Sequence, residues 1–262
     1  FQIKSRKGEF SSRLVVSAHG KKSNMDVKLK RSFTQKNLKA SNNYVGVKYH
    51  VRHPDFPSDL IELMNFQGGY CGMSQIEDGK YCLCYLTSAA SLRENGNSIE
   101  QLEANVLMKN PVLADRLTRS ERLFREPVTV SNVNFIPKSV VEGRMLMLGD
   151  AAGSIAPLAG NGMSMSLHGA WILQGLLNDY LQGRINWDQL QSTYTQRWQK
   201  LFLTRIRMGS RLQKLFGKSG LTELSIGSLR YLPFITRRLI LLTHGKPFFS
   251  KSSSTDNSLS VA

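Results

Sequence analysis

Between Arg144 and Leu181 a short apolar run, a stretch of small residues and a long helical segment follow one another in an order that few folds accommodate. Arg144-Met145-Leu146-Met147-Leu148 predicts a buried strand, Gly149-Asp150-Ala151-Ala152-Gly153 a tight turn, and Gly162 to Leu181 a helix stopped at Gly183. Strand, glycine-rich loop and helix in that order form a ligand-binding edge of an α/β fold. Small residues let the backbone approach a bulky ligand, because no Cβ holds it off. The helix begins only after Pro157, so Asp150 is not its N-cap and its carboxylate is available to ligand hydroxyls. Gly160-Asn161-Gly162 then opens the helix, whose first amides lack intrahelical partners and suit a carbonyl or a developing negative charge. Leu167, Ala170, Trp171, Leu173 and Leu177 are expected to form its buried stripe.

The rest of the chain supplies a frame for this edge. Lys7-Gly8 reads as the turn of an opening hairpin that leads into the apolar run Leu14-Val15-Val16, and residues 21–43 read as loop with one short helical turn. From Tyr44 to Leu86 the pattern is β, with strands at 44–51, 61–66, 69–76 and 81–86. Glu77-Asp78-Gly79-Lys80 joins the last two, with Gly79 placed for positive φ. Ser98 with Gln101 predicts a capping box on one helix, and Pro111 opens a second that runs to about Phe124. A strand near 128–135 follows. Helices over 187–215 and 219–243, broken near Gly227 and Pro233, complete the fold, and the Ser-rich tail 249–262 is expected to be disordered.

At 262 residues and 41% hydrophobic content the chain can bury a core, which excludes a chain disordered throughout. Its net charge of +16 lies at the ends: residues 1–60 carry 13 basic and 4 acidic groups, and residues 184–262 carry 13 and 3. In the last segment Arg197, Lys200, Arg205, Arg207, Arg211 and Lys214 alternate with apolar residues, a pattern that suits either a solvated basic face or peripheral contact with an anionic membrane. No zinc finger, helix-turn-helix or RNP signature accompanies the charge, so no specific nucleic-acid partner is expected. Cys71, Cys82 and Cys84 cannot all pair and lack the spacing of a zinc site, which points to a reducing, cytoplasmic setting.

The loop at 149–163 resembles the second flavin-binding motif of the aromatic-hydroxylase-like FAD oxidoreductases, especially in their geranylgeranyl-reductase-like branch: Gly-Asp-Ala-Ala-Gly, a spacer, Pro157, then Gly160-Asn161-Gly162-Met163. The resemblance implies that Asp150, flanked by Gly149 and Ala151, binds the ribityl chain of FAD. It places Pro157 close to the flavin, and Gly160, Asn161, Gly162 and Met163 with their amides near the pyrimidine oxygen. Residues 13–23 are similar to the family's other internal signature, an apolar strand ending in Gly-Ala-Asp-Gly. Here His19 stands at the Asp position and Ser17 at a frequent Gly position, while Gly20 keeps the last glycine. His19 and Gly20 are therefore further cofactor candidates, His19 being weighed against a structural hydrogen bond at a strand end.

Relatives of this kind open with strand, Gly-x-Gly-x-x-Gly and helix, which hold the adenosine diphosphate half of FAD. That motif is not found here, and the chain starts at Phe1. The expected fold is therefore α/β: an incomplete Rossmann-like FAD-binding domain (1–24 and 144–182), an inserted antiparallel α+β substrate domain (25–143) and a basic helical C-terminal region (183–248). On this reading the chain is a C-terminal fragment without the dinucleotide-binding unit, inactive alone. The expected reaction of the whole is reduction, by reduced FAD, of a carbon–carbon double bond in a hydrophobic, lipid-like or isoprenoid substrate, with NAD(P)H or another donor supplying electrons. The alternatives are flavin-dependent hydroxylation, a non-catalytic remnant and a nucleic-acid module. Because the flavin carries the redox chemistry, no acid or base catalyst and no metal is assigned. Tyr49, Phe66, Tyr70, Tyr81 and Tyr85 could line the substrate cavity, against ordinary core packing.

Overall fold

The computed structural model describes residues 1–35, 43–215, 217, 222, 227 and 231–244. The tail expected to be disordered, 249–262, lies outside them. The opening hairpin forms, β1 (Gln2–Ser5) and β2 (Gly8–Ser11), with its turn at Arg6-Lys7, one residue before the expected Lys7-Gly8, and Gly8 at φ 132 where it enters the second strand. β3 (Val15–Ser17) leads to α1 (Asn24–Lys28) and α2 (Ser32–Gln35). The sequence suggested a single turn here. Ser23 and Asp26 form a full capping box that satisfies the first amides of α1 in both directions.

β4 (Tyr44–Arg52), β5 (Ile61–Phe66), β6 (Gly69–Gln75) and β7 (Tyr81–Ser88) make an antiparallel sheet in the order β5-β6-β7-β4. Gly79 takes φ 65 in the last turn, and Asp78 joins it at φ 58. α3 (Ala89–Glu94), α4 (Ile99–Asn105) and α5 (Pro111–Arg119) follow. Ser98 Oγ accepts from the Gln101 amide at 3.1 Å, but the reciprocal half of the expected capping box does not form, because the Ser98 amide donates to the Asn95 carbonyl. α5 stops at Arg119, short of Phe124, because β8 (Glu121–Arg122) pairs with the end of β4. β9 (Val128–Val133) pairs with the rest of it.

Alternation along these strands sorts the sheet into two faces. Val47, Tyr49, Met64, Cys71, Met73 and Leu83 pack against Leu102, Leu107 and Leu113 of the covering helices. Under that face the buried Glu103 accepts from the hydroxyls of Tyr49 (2.7 Å) and Tyr85 (2.9 Å) and from Arg122 (2.8 Å). Tyr49, Phe66 and Tyr81 thus belong to the core. The other face carries small and apolar side chains, among them Gly46, Tyr70, Gly72, Cys82 and Cys84.

β10 (Val141–Glu142) and β11 (Met145–Met147) join β3 in a small sheet ordered β10-β11-β3. β3 and β11 run parallel, with Val15 opposite Met145 and Ser17 opposite Met147. α6 (Gly162–Leu181) covers this sheet together with α7 (Trp187–Trp198), a wide turn at 199–203 and α8 (Thr204–Leu215); α9 (Pro233–His244) follows. The buried side of α6 is Met165, His168, Ile172, Leu173 and Leu176, whereas Leu167 and Trp171 are 66% and 53% exposed. The expected stripe was rotated: α6 is apolar around much of its circumference, so spacing alone does not fix which face turns inward. No helix among the described residues is long and apolar enough to cross a membrane.

Candidate functional site

Parallel pairing of β3 and β11 sends both chains out at one edge of the small sheet, and the Leu148 amide donates to the Ser17 carbonyl there at 3.0 Å. Ligands of α/β folds bind beyond the carboxyl ends of such strands. At this edge lies a cleft of about 630 Å³. Asp150, Pro157, Gly160, Asn161, Gly162 and Met163 all line it, joined by Lys21, Ile155, Ser166 and Leu167.

The predicted loop residues divide by role. The carboxylate of Asp150 accepts no hydrogen bond from the described residues and stands half-exposed at the cleft, while its main-chain carbonyl accepts from Lys138. Gly160 has φ 61, a left-handed conformation, and a Cβ there would meet nothing within 4 Å, so the cleft is open over it. Gly149, also at φ 61, sits behind, where a Cβ would come 3.3 Å from Ser166 Oγ. Asn161 gives α6 no side-chain cap; its Nδ2 donates instead to the Thr243 carbonyl at 3.1 Å. The amides of the first turn are left for a ligand. Met163 is 86% exposed. Ala151 differs from its neighbours: it is fully buried, and its carbonyl accepts from Arg31 at 2.9 Å.

His19 makes hydrogen bonds within the protein. Its Nδ1 lies 2.7 Å from Ser17 Oγ and its Nε2 2.9 Å from Asp26 Oδ1. Asp26, fully buried, pairs with Arg31 at 2.8 Å, and Arg31 reaches on to Glu142 at 3.0 Å and the Ser139 carbonyl. Burial pushes the Asp26 carboxyl up, but Arg31, the Ser23 amide and His19 together outweigh it and hold the group below its ordinary value. This network fixes the end of β3 against β10 and the Asp150 turn. Gly20, at φ 85 with open space beside it, then turns the chain so that Lys21 enters the cleft. Lys138 is buried beneath, donating to the carbonyls of Lys21 (2.6 Å) and Asp150 (2.9 Å), and burial lowers its pKa to about 8.

A second cavity, of about 380 Å³, lies between the open face of the larger sheet and the loop at 157–160. Lys21, Pro157 and Gly160 border both cavities, so the two spaces meet. Ile61, Leu63, Leu86 and Val130 wall the second one, and Tyr70 faces it. Gly46 and Gly72 deepen it: added Cβ atoms would come 3.0 Å from Val130 Cγ1 and 3.3 Å from Leu63 Cδ2. Cys82 and Cys84 share this face, and burial pushes the Cys84 thiol up to about 11. Sequence reasoning passed over Lys21 and these glycines. The signals were present, since Lys21 follows Gly20 directly and glycine inside a strand marks a close approach.

An unpaired carboxylate, an uncapped helix start and a left-handed glycine open to the cleft are the features a flavin dinucleotide needs from this edge. Residues 2–201 match the FAD binding domain family. No curated protein matches the chain. Among solved structures it is similar to the flavin-dependent brominase Bmp2, with a TM-score of 0.69 at 15% identity over 92% of this chain and 60% of that one. It is also similar to PqsL, a probable FAD-dependent monooxygenase from Pseudomonas aeruginosa (TM-score 0.54, 16% identity, 85% and 62%). A third is Klebsiella pneumoniae HpxO complexed with FAD and uric acid (TM-score 0.57, 17% identity, 92% and 62%). At these identities the likeness is one of fold, and the chain spans about 60% of the length of the brominase structure.

These findings correct three expectations. The family match spans the opening hairpin, both cleft segments and the inserted sheet, so an FAD-binding domain is recognised over residues 2–201 of this chain itself, where only parts of one were foreseen. The expectation of a chain without a dinucleotide-binding unit is corrected by the same match; it gave one glycine motif more weight than the parallel β3–β11 pair, the 149–162 loop and α6, which build a Rossmann-like edge. The expected geranylgeranyl-reductase branch and its alkene reduction are not upheld either, since the similar structures carry the names of a brominase and a probable monooxygenase. The chain belongs to the FAD binding domain family, and its cofactor is FAD.

Proposed function

We propose that the protein is an FAD-dependent monooxygenase that hydroxylates a small hydrophobic, ring-bearing substrate. The observation that carries this reading is the meeting of the cleft and the apolar cavity at Lys21, Pro157 and Gly160, which sets a substrate space directly against the flavin space. FAD, when bound, supplies the redox chemistry, taking electrons from a donor and delivering them to oxygen. The chain's own residues bind and orient. Asp150 would accept from the ribityl hydroxyls, the first amides of α6 at Gly162 and Met163 would hold the pyrimidine oxygen, and Pro157 and Gly160 would leave room for the ring. Segment 25–143 forms the substrate layer, whose walls at Leu63, Leu86 and Val130 exclude water from the reacting atoms. The oxidative chemistry named for Bmp2 and PqsL supports the choice of oxidation.

The test is isotopic. Protein carrying FAD is reduced without air, mixed with ¹⁸O₂ and a panel of aromatic substrates, and the products are weighed. One ¹⁸O atom in a product is expected. Saturation of a substrate double bond with no oxygen consumed overturns the proposal.

A further inference from the structure

A third cavity, of about 330 Å³, opens between α8 and the loop at 135–137, and it shares no lining residue with the other two. Three features of it point to one ligand class. Arg207, Arg211 and Lys214 recur at helical spacing, so all three cations line it from one face of α8, and none of them is paired with an acidic group among the described residues. Converging positive charges without a counter-charge favour an anion of more than one charge, and guanidinium forks match phosphate oxygens. On the opposite wall Tyr44 and Phe135 stand with ring centroids 5.8 Å apart and planes tilted by 36°, an apolar surface for a planar ring. Gln213 also lines the cavity; it is 2% exposed, and its buried Oε1 has no hydrogen-bond partner among the described residues. A buried amide oxygen left unmatched is costly, and an amino group on a ligand would satisfy it.

We propose that this cavity binds a nucleoside phosphate: the phosphates between Arg207, Arg211 and Lys214, the base against Tyr44 and Phe135, and its amino group on Gln213. The size fits the nucleotide portion of a larger molecule. Phe135 links this cavity to the cleft residue Lys21, whose Nζ is 6.0 Å from that ring's centroid.

Calorimetry on FAD-saturated protein tests this with ADP and inorganic pyrophosphate as probes. Saturation with FAD keeps ADP out of the flavin cleft. ADP is expected to bind one-to-one, Arg211→Ala to weaken it about tenfold or more, and Arg93→Ala, an equal loss of charge on α3, to leave it unchanged. Gln213→Leu is expected to weaken ADP and spare pyrophosphate, because only ADP carries the amino group. Failure of ADP to bind the FAD-saturated protein overturns the proposal. So does equal weakening by Arg93→Ala, which marks general attraction to a basic chain, or a Gln213→Leu variant that treats the two probes alike.

Discussion

The ammonium of Lys138 donates to the main-chain carbonyl of Asp150 at 2.9 Å. The same group donates to the carbonyl of Lys21, so one buried lysine ties together the two segments that wall the FAD cleft. Burial lowers its pKa from 10.5 to about 8. Below about pH 8 the folded state carries the whole cost of a desolvated charge. Between about 8 and 10.5 the unfolded chain binds the extra proton, so this residue's contribution to stability rises with pH. Urea unfolding of the protein and of Lys138→Met, compared at pH 7 and pH 10, should show the difference moving by about 2 kcal/mol in favour of the unsubstituted protein at the higher pH. A difference independent of pH contradicts the assignment.

Asp26 and Arg31 form a fully buried pair. Asp26→Asn removes the buried one of the two carboxylates on the Arg31 guanidinium, leaving Glu142, and should cost about 3 kcal/mol. Because the folded pKa of Asp26 is lowered, its contribution is present above the ordinary carboxylate value of 3.8 and fades as pH falls through the lower folded value. Acid titration of the unfolding free energy should show that loss in the protein and not in the variant.

Thiol chemistry reports on the substrate cavity. Cys84 opens into it and Cys71 is fully buried on the other face of the sheet. With its pKa near 11, Cys84 should react with a disulfide reagent at pH 8 far more slowly than a free thiol, and faster as pH rises toward 11. Cys71 should react only on unfolding. Prompt labelling of Cys71 in the folded protein would sink this picture of the sheet.

Gly72 lies at the floor of the same cavity. Gly72→Leu should fill it, displacing an apolar fluorescent probe about tenfold, while FAD affinity stays unchanged. Loss of both would show that the two spaces are not separable.

Much of this architecture was readable before any coordinates, and the exceptions share a cause. The strand, small-residue turn and helix from Arg144 to Leu181 were legible because Gly149 and Gly160 must take left-handed φ and because a 20-residue helix carries a long pattern. The hairpin through Gly79 was legible for the same conformational reason. One short helical turn was legible in residues 21–43, but not its place at α1 nor the second short helix α2, because four or five residues carry no period, although Ser23 and Asp26 spell a capping box. The rotation of α6 and the inward turn of the Asn161 side chain toward Thr243 depend on elements far away in sequence. His19 shows the limit most clearly: its neighbours Ser17 and Asp26 were in plain view, but only folding brings both within 3 Å of one imidazole.

The account turns on the free carboxylate of Asp150. Its side chain bonds to none of the described residues, so Asp150→Ala should leave the unfolding midpoint unchanged while weakening FAD about tenfold or more, measured by quenching of flavin fluorescence on titration. An Asp150→Ala protein that binds FAD as tightly as the unsubstituted one contradicts the placement of the cofactor in this cleft.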